Sequence, residues 1–178
     1  MQRREFPAGF SRFVFLLTAL VALLFSSCAS EPRIATFLLK DGVQQYFVHQ
    51  VTIRKKGVLM QIDATIHVRD LALVDNPVVR YTLYDEVYGQ VQDDVLVSFE
   101  RSNQEFICRN PKIIYRDVEL NGVRFETEME PNDFTDMVYA PDSVFLVFKN
   151  KNGDFLGKVE SKKLQESFDK LRSVVNKN

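Results

Sequence analysis

The side chains able to do chemistry are few in this 178-residue chain, and they are widely spaced. There are two cysteines, Cys28 and Cys108, and two histidines, His49 and His67. Cys28 follows Ser26-Ser27 at the end of an uncharged apolar run, Phe13–Phe25, and Arg3, Arg4 and Arg12 precede that run. A positive start, a short apolar stretch and small residues before a cut are the three parts of a secretory signal. The run is 13 residues long, short of the roughly 17–25 that span a bilayer. Cleavage before Cys28 makes that thiol the first residue of the mature chain. A Cys28–Cys108 disulfide would suit an exported protein, but a modified Cys28 leaves Cys108 no intramolecular partner. Cys108 shares a strand face with Phe106, which reads as a buried structural thiol.

The remaining candidates are weaker. His49 shares strand parity with Phe47, Val51 and Ile53, a core or rim position, whereas His67 falls among polar residues and is expected at the surface. Glu126, Glu128 and Glu130 alternate, so they share one face, with Asp133 close behind. They could hold a divalent cation, although a solvated face that discourages edge pairing explains them more simply. Asp93-Asp94 reads as a loop or strand start. The chain has no HExxH, CxxC, GxSxG or glycine-rich phosphate loop. No catalytic residue, metal ligand or cofactor is assigned.

Composition narrows the class further. Hydrophobic residues make up 46% of the chain and aromatic ones 12%, with 15 Phe and no Trp, a globular composition. The formal charge is −1. Residues 1–27 hold three Arg against Glu5, a net of +2, so residues 28–178 come to −3. A mildly acidic body lacks the clustered Lys and Arg that give nucleic acids their affinity, and no nucleic-acid partner is expected.

The elements that position these residues are mostly strands. Asp41-Gly42 separates Ile34–Leu39 from Val43–Arg54 as a hairpin, and Lys55-Lys56-Gly57 makes the next turn. Within Leu59–Val68, Met60, Ile62, Ala64, Ile66 and Val68 alternate with Gln61, Asp63, Thr65 and His67, the period of a half-buried strand. After Asp75-Asn76-Pro77 come Val79, Tyr81 and Leu83; Gly89 turns the chain, and Val95, Val97 and Phe99 form another inward set. Asn121-Gly122 reads as a two-residue type I′ turn. That register sets Leu120 opposite Val123, Glu119 opposite Arg124 and Val118 opposite Phe125, with Ile114, Val118, Leu120, Val123, Phe125 and Met129 on one face. Pro131 opens a short helix with Phe134, Met137 and Val138 at helical spacing, and Pro141 ends it. Strands Val144–Lys149 and Phe155–Val159 flank Asn152-Gly153. Ser161 caps a helix over Lys162–Asn176, where Leu164, Phe168, Leu171 and Val175 form one apolar stripe. The fold expected is mainly β, a β-sandwich of immunoglobulin-like or related type with a C-terminal α-helix packed on it; an α+β arrangement is the alternative. The expected divisions are a signal at 1–27, a lipidated N-terminus and short tether at 28–32, and one β-rich domain at 33–178 with its helix at 161–176.

Two resemblances add to this reading. Ser26-Ser27-Cys28 resembles the lipobox of bacterial lipoproteins, with Phe25 where Leu is usual. The resemblance implies a diacylglyceryl, palmitate-bearing Cys28 and a membrane anchored through that lipid. Arg3-Arg4-Glu5-Phe6 resembles the twin-arginine export motif, but Pro7-Ala8 follow it, which favours general secretion. After Cys28 come Ala29 and Ser30, with no Asp. By similarity to well-studied lipoprotein sorting, that implies the outer membrane rather than the inner. Tyr81-Thr82-Leu83-Tyr84-Asp85 is similar to the F-x-L-Y-D signature of a small immunoglobulin-like family of exported prokaryotic proteins, with Tyr81 in place of Phe; it implies Tyr81 and Leu83 in the core and a turn at Asp85. The function expected is a lipid-anchored cell-envelope protein that binds an envelope protein or component without catalysis. The alternatives are a periplasmic carrier or chaperone for an apolar ligand, with its pocket under the C-terminal helix, and an envelope enzyme.

Overall fold

A computed structural model describes residues 34–55, 58–84 and 95–176. The chain divides into two compact units, Met1–Glu31 and Pro32–Asn178; Cys28, Asp85, Gly89 and Asp93-Asp94 lie outside the described residues. Eleven strands and two α-helices follow in the second unit, among the described residues: β1 (Ile34–Leu38), β2 (Gln44–Lys55), β3 (Val58–Arg69), β4 (Ala72–Leu73), β5 (Val78–Tyr84), β6 (Leu96–Arg101), β7 (Gln104–Ile107), β8 (Arg109–Asp117), β9 (Gly122–Glu128), α1 (Pro131–Tyr139), β10 (Phe145–Lys149), β11 (Phe155–Glu160) and α2 (Lys162–Leu171). They form two antiparallel sheets, ordered β1-β2-β3-β5-β9-β8 with β4 on β3, and β11-β10-β6-β7. One apolar cluster joins both sheets and both helices. This is a mainly β sandwich with a helix at its C-terminal end.

The alternation in β3 sets the inner face as expected, with Met60, Ile62, Ala64, Ile66 and Val68 all buried. Opposite them on β5 and β9 lie Val79, Tyr81, Leu83, Val123 and Phe125. The Tyr81 and Phe125 rings stack at 5.0 Å, and the Tyr81 hydroxyl donates to the Val95 carbonyl at 3.1 Å, which ties β5 to the start of β6. The first four strands and β5 stay in one sheet, a meander. Immunoglobulin domains divide their strands differently, so this sandwich is of related rather than immunoglobulin connectivity. The chain changes sheets again at Cys108, the single residue between β7 and β8. That corner is buried, and only a small side chain with little need for hydrogen bonds suits it.

Two expected features differ. Asn121-Gly122 is not a two-residue turn: Asp117 pairs with Gly122, leaving residues 118–121 as the loop. The Asp117 carboxylate accepts the backbone N–H groups of Glu119 and Leu120 at 3.1 and 3.0 Å. That side-chain turn lengthens the loop and displaces the Asn-Gly preference. Phe125 therefore pairs with Ile113, Arg124 with Tyr115 and Val123 with Arg116, and Val118 and Leu120 stand in solvent. The C-terminal helix also stops at Leu171, short of Asn176. Its Ser161 cap is present, accepting from the Leu164 N–H at 3.3 Å. Val175 is buried all the same, because residues 172–175 turn back and the Asn176 N–H bonds the Leu71 carbonyl at 2.7 Å.

The helices are held to the strands by a buried guanidinium that the sequence reading passed over. Arg101, at the end of β6, is 0% exposed. It donates to the Asp142 carbonyl at 2.7 Å, the Met137 carbonyl at 3.0 Å and the Val138 carbonyl at 3.3 Å, and to Asp169 of α2 at 2.7 Å. Met137 and Val138 are in the last turn of α1, whose carbonyls have no helical partner, and a cation there also suits the helix dipole. Arg172 completes the cap, donating to Val138 and Ala140 at 2.8 and 2.7 Å while pairing with Asp169 at 2.9 Å. Replacing Arg101 with Met is expected to lower unfolding free energy by about 3 kcal/mol, because backbone carbonyls lose a buried donor. Urea titration checks this; a loss below ~1 kcal/mol would show the network to be dispensable.

Candidate functional site

The outer face of the larger sheet carries the densest polar arrangement among the described residues. Strand pairing sets Asp63 of β3 beside Arg80 of β5, and Arg80 beside Glu126 of β9; one step along, Gln61 lies beside Thr82 and Thr82 beside Arg124. Arg124 pairs with Asp63 and donates to Thr82 at 3.1 Å. Arg80 pairs with Glu126 at 2.8 Å and donates to Thr65 at 3.1 Å. Gln61 accepts from Tyr84 at 2.6 Å and from Gln50 at 2.8 Å. Asp63 and Thr65, expected to face water, are 2% and 7% exposed. The polar phase of β3 is as read. What covers it is a second layer of long Arg side chains from strands 15 to 61 residues away in sequence, which no local pattern reports.

Burial disfavours the charge on Asp63 and raises its pKa above the ordinary 3.8, against the opposing hydrogen bond and charge of Arg124 and the charge of Arg80. One carboxylate oxygen, Oδ1, has no protein donor, which agrees with that direction. A raised folded value means the native state holds the proton more tightly than the unfolded chain. Asp63 therefore contributes stability below pH 3.8, and the contribution is lost as pH rises through its folded value.

The sequence-selected residues do not converge. A β-bulge between Val48 and Val51 inserts one residue into β2 against β3. It reverses the face, so Val51 and Ile53 go inward while His49 stays outside with Phe47, their rings 5.3 Å apart and edge-on. His49 is therefore exposed, not in the core or at its rim. His67 is partly exposed and bonds Asp75 through Nδ1 at 2.8 Å. The acidic stripe is dispersed into separate contacts: Glu126 to Arg80, Glu128 accepting from Asn76 at 3.3 Å, and Glu130 to Arg109 at 3.0 Å. Asp133 lies in the first turn of α1. Among the described residues, no group of three or more His, Cys, Asp or Glu is placed to hold a metal ion, and no helix is long and apolar enough to cross a membrane. Cys108 is a buried free thiol, and burial pushes its pKa up to about 12, where almost no thiolate exists near neutrality.

On the opposite sheet the outer face is also ion-paired across strands. Lys149 bonds Glu105 at 2.6 Å and Lys158 bonds Glu100 at 2.5 Å, the latter ammonium lying 4.2 Å from the Phe145 ring centre. Burial opposes the charge of Glu105, but hydrogen bonds from Lys149 and Ser98 outweigh it and lower its pKa. The apolar stripe of α2 is taken up in the core: Leu164, Phe168 and Leu171 are at most 1% exposed, with Phe168 edge-on to Phe99 and Phe134.

No protein-family model, curated protein or solved structure matches this chain. Asp63→Asn should flatten the acid part of the stability profile: the advantage of wild type over variant shrinks as pH rises from below 3.8. Urea unfolding of both proteins over the acid range measures it. An advantage that grows with pH would mean the Arg124 pair, not burial, governs Asp63.

Proposed function

We propose that this chain is a bacterial cell-envelope lipoprotein, held to the membrane by lipid on Cys28, whose β domain works by binding rather than by catalysis. The observation that carries the reading is the run of Arg3, Arg4 and Arg12, thirteen apolar residues, then Ser26-Ser27-Cys28, with the described domain starting only six residues later at Ile34. Six residues span at most about 20 Å, so the anchor keeps the domain at the bilayer and confines its partners to that neighbourhood. The absence of Asp after Cys28 supports the outer membrane as the destination.

Binding is favoured over catalysis by the disposition of the reactive groups. The two histidines have separate neighbours, and the thiol is buried. Binding on the outside of the domain is favoured over carriage of an apolar ligand under α2, because the α2 stripe is already occupied by core contacts. The outer faces, with their fixed cross-strand ion pairs and amides, offer a rigid polar surface for an envelope protein or component.

Radioactive palmitate should label the wild-type chain and leave Cys28→Ala unlabelled; equal labelling of both would sink the anchor. Thiol counting gives an independent check. The native mature protein should resist iodoacetamide at neutral pH, since Cys108 is buried with its pKa near 12. After denaturation it should take up a single label, because the Cys28 sulfur is already alkylated. Two labels on the denatured mature protein would mean that Cys28 is free.

A further inference from the structure

The arm from Lys112 to Leu120 carries five exposed apolar side chains, more than the Phe37-Leu38-Leu39 run at the far end of β1. Ile113, Ile114 and Tyr115 are 39%, 45% and 56% exposed, and Val118 and Leu120 are 86% and 62% exposed. Val118 and Leu120 stand on the 118–121 loop, which the Asp117 carboxylate fixes through the N–H groups of Glu119 and Leu120. Order in the loop matters: the chain has already lost the entropy that would otherwise oppose presenting two bare aliphatic groups. Tyr115 comes next along β8, followed by Lys112 with Arg116 between them and the loop. Aliphatic groups stand at the tip with Arg116, Tyr115 and Lys112 behind them, a combination of apolar, aromatic and cationic side chains suited to a membrane interface.

The position of the loop in the fold agrees. Ile53, Met60, Leu83, Val123 and Arg116 form one row across the sheet, and the 118–121 loop projects beyond it. Ile34 sits in the row of Val48, Ala64 and Val79, and β1 runs from there away from the loop, toward Leu38. The N-terminal end of β1 therefore points to the same end of the sheet as the loop. That row is four residues along β3 from Ala64 to Met60, about 13 Å, within the roughly 20 Å reach of the six residues between Cys28 and Ile34. The tip carries Asp117 and Glu119 as well as aliphatic groups, so the attraction is apolar and not a basic patch on anionic lipid.

We infer that the 118–121 loop and the adjoining part of β8 contact the bilayer, so that the domain stands on the membrane with this end of its larger sheet down. The inference rests on lipidation at Cys28 and adds an orientation to it. The contact also covers an edge strand whose bare apolar groups would otherwise invite pairing.

The test uses the full mature protein, purified from membranes, with its intact mass recorded. A Glu119→Cys protein and a Lys40→Cys protein, the latter at the far end of β1, are each labelled with an environment-sensitive fluorophore; buried Cys108 stays unlabelled. Each is reconstituted into vesicles of phosphatidylethanolamine and phosphatidylglycerol. The fluorophore at 119 should shift to the blue and be quenched by lipid-borne quencher, while that at 40 stays in water. Adding Val118→Ser and Leu120→Ser should return the probe at 119 to water, and both side chains already stand in solvent, so the fold is kept. A mass showing lipid together with an aqueous probe at 119 overturns the orientation and leaves the anchor standing. A mass without lipid overturns both. Probes at 119 and 40 that both enter lipid overturn the orientation, and so does a blue shift without vesicles that grows with protein concentration, which would assign the loop to a second copy of the chain.

Discussion

Arg101 is a guanidinium without contact with water, and its bonds reach parts of the chain that strand pairing leaves unconnected. It stands on β6, it caps the C-terminal carbonyls of α1, it holds the carbonyl of Asp142 where the chain turns toward β10, and it meets Asp169 of α2. An isolated buried cation would be prohibitive. Here the planar fork of donors finds partners in every direction, which a lysine could not match. The carbonyls it satisfies are those a helix end leaves bare, so one residue answers two needs, and both helices are fixed against the smaller sheet. Phe99, two residues earlier on the same strand face, supplies the apolar contact with Phe168 that brings α2 close enough for Asp169 to pair.

The two outer faces show a related economy. Each pairs charges of opposite sign across the sheet, three of the four pairs reaching over an intervening strand, so that Arg and Lys stems cover the sheet while their heads are neutralised across it. On the larger sheet the layer is thick enough to remove Asp63 from water. A face of this kind is rigid, close to neutral in sum and poor in loose charge, a surface for shape-dependent contact more than for long-range attraction of a charged partner.

Much of this fold was legible where one periodicity persisted. Met60 to Val68, Val95 to Phe99, the Pro131–Tyr139 helix and the Leu164-Phe168-Leu171 stripe all take the faces their spacing indicates. Legibility failed where the backbone broke its own period. The bulge after Val48 reversed the face of β2 and put His49 outside, and nothing in Val48-His49-Gln50-Val51 marks an extra residue. Asp117 outbid Asn121-Gly122 for the turn. Two further tight turns, Asp70-Leu71 and Ser102-Asn103, have both central residues at positive φ without glycine. Leu71 in particular takes a conformation that its side chain disfavours, held by the bond from Asn176 to its carbonyl. The buried charges Arg101 and Asp63 were hidden for a different reason. Their partners come from far along the chain, and burial of a charge is decided by those partners, not by its neighbours in sequence. Cys28 is the reverse case: the lipidation proposed for it rests on local sequence alone.

The bond between Arg101 and Asp169 spans 68 residues, and it sets an order of events as well as a shape. The strands that lead to Arg101 can pair as they are made, but the core beneath β6 stays open until α2, the last helix, arrives. Folding of this domain therefore completes only once its C-terminal helix is in place, however early the strands pair.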